Sequence, residues 1–178
     1  MSDIKCKRID VSTEQALQLP NEPFDSPGKL IVTRTNTGWQ HKELLFASPE
    51  RQQFPDEHYQ LEAVNQAGFA LGAFAGETCV GIAVFEKRWT PYLYLSDLKI
   101  AVTHRRQNIA SKLLHAAVQI AQAQQLKGLS TVAQDNNLNA NRFYLNYGFE
   151  IGGLNTKDYH FTNQRGKYDI YYYLDFSV

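Results

Sequence analysis

The stretch that decides the fold is Leu98-Lys-Ile-Ala-Val-Thr-His-Arg-Arg-Gln-Asn-Ile-Ala-Ser111. Its first half ends a long β-type run from Tyr92 to Val102, whose alternation puts Tyr92, Tyr94, Leu98, Ile100 and Val102 on one face. A short polar loop follows. A helix is expected from about Asn108, because Ile109, Leu113, Ala116, Ala117 and Ile120 recur at helical spacing with no Gly or Pro before Gly128. The first N–H groups of such a helix have no intrahelical partner, and with the helix dipole they form an anion site. Arg105, Arg106 and Gln107 add charge and donors beside it. Two readings stand. One is a pyrophosphate cradle. The other is an ordinary strand-to-helix loop with solvated arginines, and spacing alone favours it.

Outward from this junction the pattern is mixed. Upstream, Phe69–Ala75, a Gly76-Glu77 turn and Cys79–Phe85 read as a hairpin. Further upstream, Leu30–Thr35, the Asn36-Thr37-Gly38 turn and Trp39–Phe46 read as another, and Pro55–Ala63 as a short helix. Residues 1–28, broken by Pro20, Pro23, Pro27 and Gly28, read as a lead-in. Downstream come a short buried strand (Leu129–Ala133), a helix (Asn137–Tyr147) closed by Gly148, and extended segments at Phe149–Leu154 and Tyr159–Thr162. Tyr168, Ile170, Tyr172, Leu174 and Phe176 alternate as a final strand, which as an exposed edge would invite pairing with a second copy into a homodimer. This order predicts an α/β domain with a mixed sheet.

Composition narrows the function. The chain of 178 residues is expected to form one domain, with a change of character at Gly68 that sets 1–67 apart from 68–178. Eighteen Lys+Arg against eighteen Asp+Glu argue against a nucleic-acid footprint or a polybasic membrane patch. Two cysteines, Cys6 and Cys79, are too few for a disulfide scaffold and fit a reduced, cytoplasmic setting. The opening MSDIKCKRID has no apolar core of a signal peptide, and no apolar run approaches a membrane span. The five histidines show no metal-ligand spacing, so no metal is expected.

Two motifs carry a resemblance. Arg105-Arg-Gln-Asn108-Ile-Ala110 resembles motif A of the GNAT superfamily of acyl-CoA-dependent N-acyltransferases, Arg/Gln-x-x-Gly-x-Gly/Ala. Asn137-Leu-Asn-Ala140-Asn-Arg-Phe143-Tyr144-Leu-Asn-Tyr-Gly148-Phe149 is similar to motif B, and fixes six positions over thirteen residues. A closer likeness, to the streptothricin acetyltransferases, rests on Gln134-Asp-Asn-Asn137, Gly148-Phe-Glu-Ile-Gly-Gly153, the Tyr159 segment, the Tyr-rich last strand and Trp89.

The resemblance implies a mixed, mostly antiparallel sheet splayed between its fourth and fifth strands and flanked by helices. It implies acetyl-CoA as co-substrate, with Leu98, Lys99 and Ile100 beside the pantetheine arm, residues Arg105, Arg106, Gln107, Asn108, Ile109 and Ala110 around the pyrophosphate, and Asn137 on the arm. Asn137 has a second reading as a helix N-cap. One departure stands out: Asn108 replaces the first motif glycine, and Asn is the non-Gly residue most tolerant of the left-handed conformation.

Acetyl transfer needs a deprotonated amine, a donor for the developing oxyanion and a proton for the leaving thiolate. Tyr144, matching the motif B tyrosine, is expected to supply that proton; its other reading is a core tyrosine. Asp97 is the candidate base, with Glu86 the alternative; the other readings are a salt-bridged or solvated strand carboxylate at Asp97, and an amine that arrives neutral through bulk water with no dedicated base. Alternation puts Asp97 on the face of Leu95 and Lys99 unless a bulge intervenes. Trp39, Trp89, Tyr92 and Tyr94 could line an acceptor cleft and hold a cationic amine, or pack in the core. The expected activity is N-acetylation of a small-molecule primary amine, a streptothricin-like antibiotic first. The rivals are acetylation of protein N-termini or lysines, and a non-catalytic coenzyme A-binding module.

Overall fold

The computed structural model describes residues 3–177; Met1, Ser2 and Val178 lie outside the description. Its strands are β1 (Ile4–Arg8), β2 (Phe24–Thr35), β3 (Gly38–Gln52), β4 (Gly68–Ala75), β5 (Thr78–Lys87), β6 (Tyr92–Ile100), β7 (Gly128–Gln134), β8 (Glu150–Asn155) and β9 (Asp169–Asp175). The α-helices are α1 (Leu61–Ala67), α2 (Ile109–Ala123) and α3 (Leu138–Tyr147), with short 3-10 turns at Glu14–Gln18 and Val102–His104. The fold is α/β, with helices flanking mostly antiparallel strands, as the sequence pattern implies. Two compact units divide the chain: Met1–Glu22, Phe54–Leu129 and Phe176–Val178 form one, and Pro23–Gln53 with Ser130–Asp175 the other.

In the first unit the strands run in the order β1-β4-β5-β6, every neighbour antiparallel. Two hydrophobic faces explain the arrangement. On one, α2 turns Ile109, Leu113, Leu114, Ala117 and Ala121 inward, all fully buried. Gly81 permits this approach: a Cβ there would lie 2.5 Å from Ile100 Cδ1 and 3.4 Å from Ile109 Cγ2. On the other, Ile9, Leu17, Val64, Ile82 and Val84 form a buried cluster against which Tyr59, Leu61 and Cys79 pack. Cys79 is therefore a packing residue, as its apolar strand setting suggests.

A β-bulge in β6 reorders its faces. Phe85 pairs with Leu95 and Val84 with Asp97, so Ser96 is the extra residue; its hydroxyl donates to Val84 O at 3.2 Å. Residues paired across a ladder share a face. Leu95, Leu98 and Ile100 thus lie with Phe85, Ala83 and Gly81 on the α2 side. Tyr94, Asp97 and Lys99 lie with Glu86, Val84 and Ile82 on the other. This corrects two expectations: Tyr94 does not share a face with Leu98, and Asp97 does not share one with Leu95. A single inserted residue flips every side chain beyond it.

The second unit holds the β2–β3 ribbon, α3 and the strands β7, β9 and β8. The ribbon is longer than its turn signals suggest. A register irregularity between Ser26 and Gly28 accommodates Pro27, since proline cannot continue a ladder. Two further expectations fail. The helix predicted from Pro55 begins only at Leu61, because the segment before it is tied as a loop: Asn21 N–H donates to Asp56 Oδ1 at 2.6 Å and Asn21 Nδ2 to Pro55 O at 2.8 Å. Tyr159–Thr162 is turn rather than strand. The tyrosine-rich last strand is not an edge either. β9 lies between β7 and β8, and the outer strand is β8. No helix among the described residues is long and apolar enough to cross a membrane.

Candidate active site

The strand-to-helix junction is a tight turn with two residues in left-handed backbone. After β6, residues Val102–His104 make one 3-10 turn, and α2 begins at Ile109 with Lys112 N–H donating to Asn108 O at 3.1 Å. Arg106 and Asn108 both adopt left-handed backbone, with φ of 60° and 61°. Asn108 thus takes the conformation that the missing glycine would supply, and its side chain makes no capping hydrogen bond. Arg106, Gln107 and Asn108 are exposed around the helix start. Arg105 is used differently. Its Nε donates to Ile100 O at 3.1 Å and its Nη2 to Glu22 O at 3.3 Å, while Val102 N–H donates to Glu22 Oε2 at 2.6 Å. Arg105 braces the loop, and Arg106 leaves its charge toward solvent. The first turn of a fifteen-residue helix, an exposed arginine and a left-handed approach fit a pyrophosphate.

The β6 face exposed by the bulge carries a charge cluster. Lys99 Nζ contacts Glu57 Oε2 and lies 3.3 Å from Asp97 Oδ2, and the Tyr59 hydroxyl donates to the same Asp97 oxygen at 3.3 Å. The Asp97 and Lys99 side chains are 14% and 9% exposed, so neither charge is fully solvated. Burial pushes the Asp97 carboxyl up, the Lys99 ammonium pulls it down and the Glu57 carboxylate raises it again. Burial, together with the Asp97 and Glu57 carboxylates, holds the Tyr59 hydroxyl far above the usual phenol range. Glu57 and Tyr59 were not foreseen. They sit about forty residues from β6 in a segment without periodicity, and no local signal marks them.

Glu86 and Tyr94 lie on this same face, but they are engaged with a residue that the sequence reading passed over. The Arg88 guanidinium stacks 3.3 Å from the Tyr94 ring centroid and bonds Glu86 at 3.1–3.3 Å. Trp89, at the turn beyond β5, is 96% exposed. Leu98 and Ile100 face α2, and Ala110 is half-buried in its first turn.

In the second unit, Asn137 caps α3: its Oδ1 accepts from Ala140 N–H at 3.2 Å. Gly148 ends the helix in left-handed backbone at φ 114°. Tyr144 is buried, with its ring 5.4–5.5 Å from Phe143, Phe149 and Tyr172. The Arg34 guanidinium lies 5.7 Å from the Trp39 ring. Asp135 is buried, accepting from Tyr168 N–H at 3.0 Å; burial raises its carboxyl. Burial likewise pushes the Tyr159 phenol up to about 12, and its hydroxyl donates to Asp169. Among the described residues no His, Cys, Asp and Glu gather as a metal site.

A bulged strand thus runs into a left-handed turn and a helix start, beside a half-buried carboxylate. The chain belongs to the Acetyltransferase (GNAT) family, whose pattern matches residues 37–149. GNAT enzymes draw the acetyl group from acetyl-CoA, which is therefore the co-substrate, and the protein is an N-acetyltransferase. It is 29% identical to streptothricin acetyltransferase A of Bacillus subtilis (strain 168) over 158 residues, which cover 88% of this chain and 91% of that one. A candidate streptothricin acetyltransferase of Bacillus anthracis, solved with acetyl coenzyme A, shares its fold at TM-score 0.87 and 20% identity, with 98% and 99% of the two chains covered. A nourseothricin acetyltransferase does so at TM-score 0.80 and 21% identity, with 97% and 98% covered.

Proposed function

We propose that the protein acetylates a primary amine of a small molecule of the streptothricin class, by direct transfer from acetyl-CoA in a ternary complex. The observation that carries this reading is the 29% identity to a streptothricin acetyltransferase along 88% of the chain. The amine nitrogen attacks the thioester carbonyl; a C–N bond forms and the C–S bond breaks. The proton leaving the amine goes to Asp97, directly or through water, with Glu86 the alternative recipient. Tyr144 returns a proton to the coenzyme A sulfur. Main chain at Leu98–Ile100 lies along the pantetheine arm and offers an N–H to the developing oxyanion. Arg106, Gln107, Asn108 and the first turn of α2 hold the pyrophosphate, with Arg105 bracing their loop; Asn137 adds a contact to the arm.

On the acceptor side, Tyr94 under Arg88, Trp89 and Trp39 supply aromatic surface. Arg88 already covers a face of Tyr94, so the ring serves as a wall rather than as a free cation seat. The cytoplasm is the compartment proposed, with no nucleic acid or membrane as partner.

The test is thiol release from acetyl-CoA with streptothricin, other small amines and peptides as acceptors. Turnover of streptothricin with product mass raised by one acetyl group is expected. Acetylation of peptides in preference to small amines would overturn the acceptor assignment, and coenzyme A binding without any turnover would overturn the enzymatic one.

A further inference from the structure

The cluster around Asp97 contains more than a base needs. Two carboxylates share one ammonium: Lys99 Nζ reaches Asp97 Oδ2 at 3.3 Å and also Glu57 Oε2. Glu57 is itself fixed, since its Oε1 accepts from Asn21 Nδ2 at 2.9 Å. Tyr59, from the same segment, donates to Asp97 and lays its ring 5.7 Å from the ammonium. From β5, Glu86 adds a further carboxylate to this face, paired with Arg88. The formal sum over Asp97, Glu57 and Lys99 is one negative charge. A carboxylate this little exposed stays ionised only with a cation or donors beside it.

We propose that Lys99 and Glu57 are positioning residues for Asp97: Lys99 holds its carboxylate oriented and ionised, and Glu57 sets how much of the ammonium Asp97 receives. The balance gives Asp97 two tasks at once. Enough positive charge keeps it ionised, and the share taken by Glu57 leaves it basic enough to accept a proton. A lysine bound to Asp97 alone would make it a weaker base. Two carboxylates without the lysine would leave one of them protonated. Burial and the opposed effects of Lys99 and Glu57 on the Asp97 carboxyl agree with this division. The idea rests on the reading of Asp97 as the base.

The experiment compares wild type with Lys99→Met, Glu57→Gln and Lys99→Arg. Two readouts are taken: the carbon-13 NMR titration of the Asp97 carboxyl, assigned through Asp97→Asn, and the pH dependence of kcat/KM with acetyl-CoA and streptothricin. Lys99→Met should move the titration and the acid limb to higher pH, so that activity at the wild-type acid half-maximum, taken relative to the variant's own high-pH activity, falls about tenfold. Glu57→Gln should move both to lower pH, and Lys99→Arg should restore the wild-type profile. An unmoved Asp97 titration in both Lys99→Met and Glu57→Gln overturns the proposal, as does a uniform loss of activity at an unchanged pH profile. If Lys99→Met fails to fold, the direction of the Glu57→Gln shift decides. Full activity of Asp97→Asn removes the base reading and this proposal with it, whereas lost activity with an unmoved titration removes the proposal alone.

Discussion

The Tyr172 hydroxyl donates to Asn141 Oδ1 at 2.6 Å, and both side chains are fully buried. The other end of the same amide ties down the chain between β7 and α3. Asn141 Nδ2 donates to Gln134 O and Asn137 O, both at 2.9 Å. One side chain on α3 thus fixes the corner from which Asn137 caps the helix and Tyr144 projects. The Tyr172 hydroxyl is held far above the usual phenol range by burial, so it remains a donor at all working pH.

Replacing Asn141 by Ala strands the Tyr172 hydroxyl in the interior and takes one of two donors from each of Gln134 O and Asn137 O, which keep the Asn137 and Asn141 N–H groups. The expected cost is about 2–4 kcal/mol. Tyr172→Phe strands only the Asn141 oxygen and should cost about 1–2 kcal/mol. Because the residues share one bond, the double variant should lose less than the sum. Urea unfolding of the three variants measures this, and additive losses would show that the bond contributes nothing.

Asn108 sits in left-handed backbone, where glycine is unstrained and a β-branched residue is not. Asn108→Gly should keep stability within about 1 kcal/mol of wild type and bind coenzyme A at least as well. Asn108→Val should lose about 1–2 kcal/mol and bind it more weakly. Thermal unfolding and titration calorimetry give both quantities. Equal binding by the valine variant would separate the loop's conformation from coenzyme A recognition.

Asp135 gives a pH signature. Burial raises its carboxyl in the folded chain, so the folded state holds that proton more tightly than the unfolded state does. A raised group contributes stability that is present below its unfolded titration and lost as pH rises through its folded titration. Asp135→Asn keeps an oxygen for Tyr168 N–H but carries no such loss. The variant should gain on wild type as pH rises from acid toward neutral. Unfolding free energies across that range are the measurement, and a variant-minus-wild-type difference that falls with rising pH would contradict the sign.

Tyr144→Phe preserves the ring contacts with Phe143, Phe149 and Tyr172 and removes only the hydroxyl. As the proposed acid, it should lose about 10²-fold in kcat with acetyl-CoA affinity nearly unchanged. Asp97→Asn should lose a similar factor and flatten the acid limb of the pH profile. Steady-state kinetics with streptothricin resolve the two, and a full kcat in the phenylalanine variant would leave Tyr144 as a packing residue.

Much of this was legible in the chain. The Asn137 cap, the Gly148 stop and the amphipathic α2 rest on contacts three or four residues apart, which local sequence encodes. Even the left-handed Asn108 follows from its place between a strand and a helix. The faces of β6 were not legible, because the Ser96 bulge is a property of two strands in register and not of one. The loop at 54–60 was misread for a similar reason: its order comes from Asn21, more than thirty residues away.

The sequence by itself therefore determined the α/β architecture and, through motifs A and B, the acyltransferase family. Both are written in short-range spacing that each segment carries alone. Only the tertiary structure decided the company Asp97 keeps. The pleat of β6, shifted by one residue, turned Asp97 and Lys99 away from α2 and toward Glu57 and Tyr59. Whether a carboxylate is a solvated surface charge or a half-buried base depends on what long-range packing lays over it, and no spacing within a single strand records that.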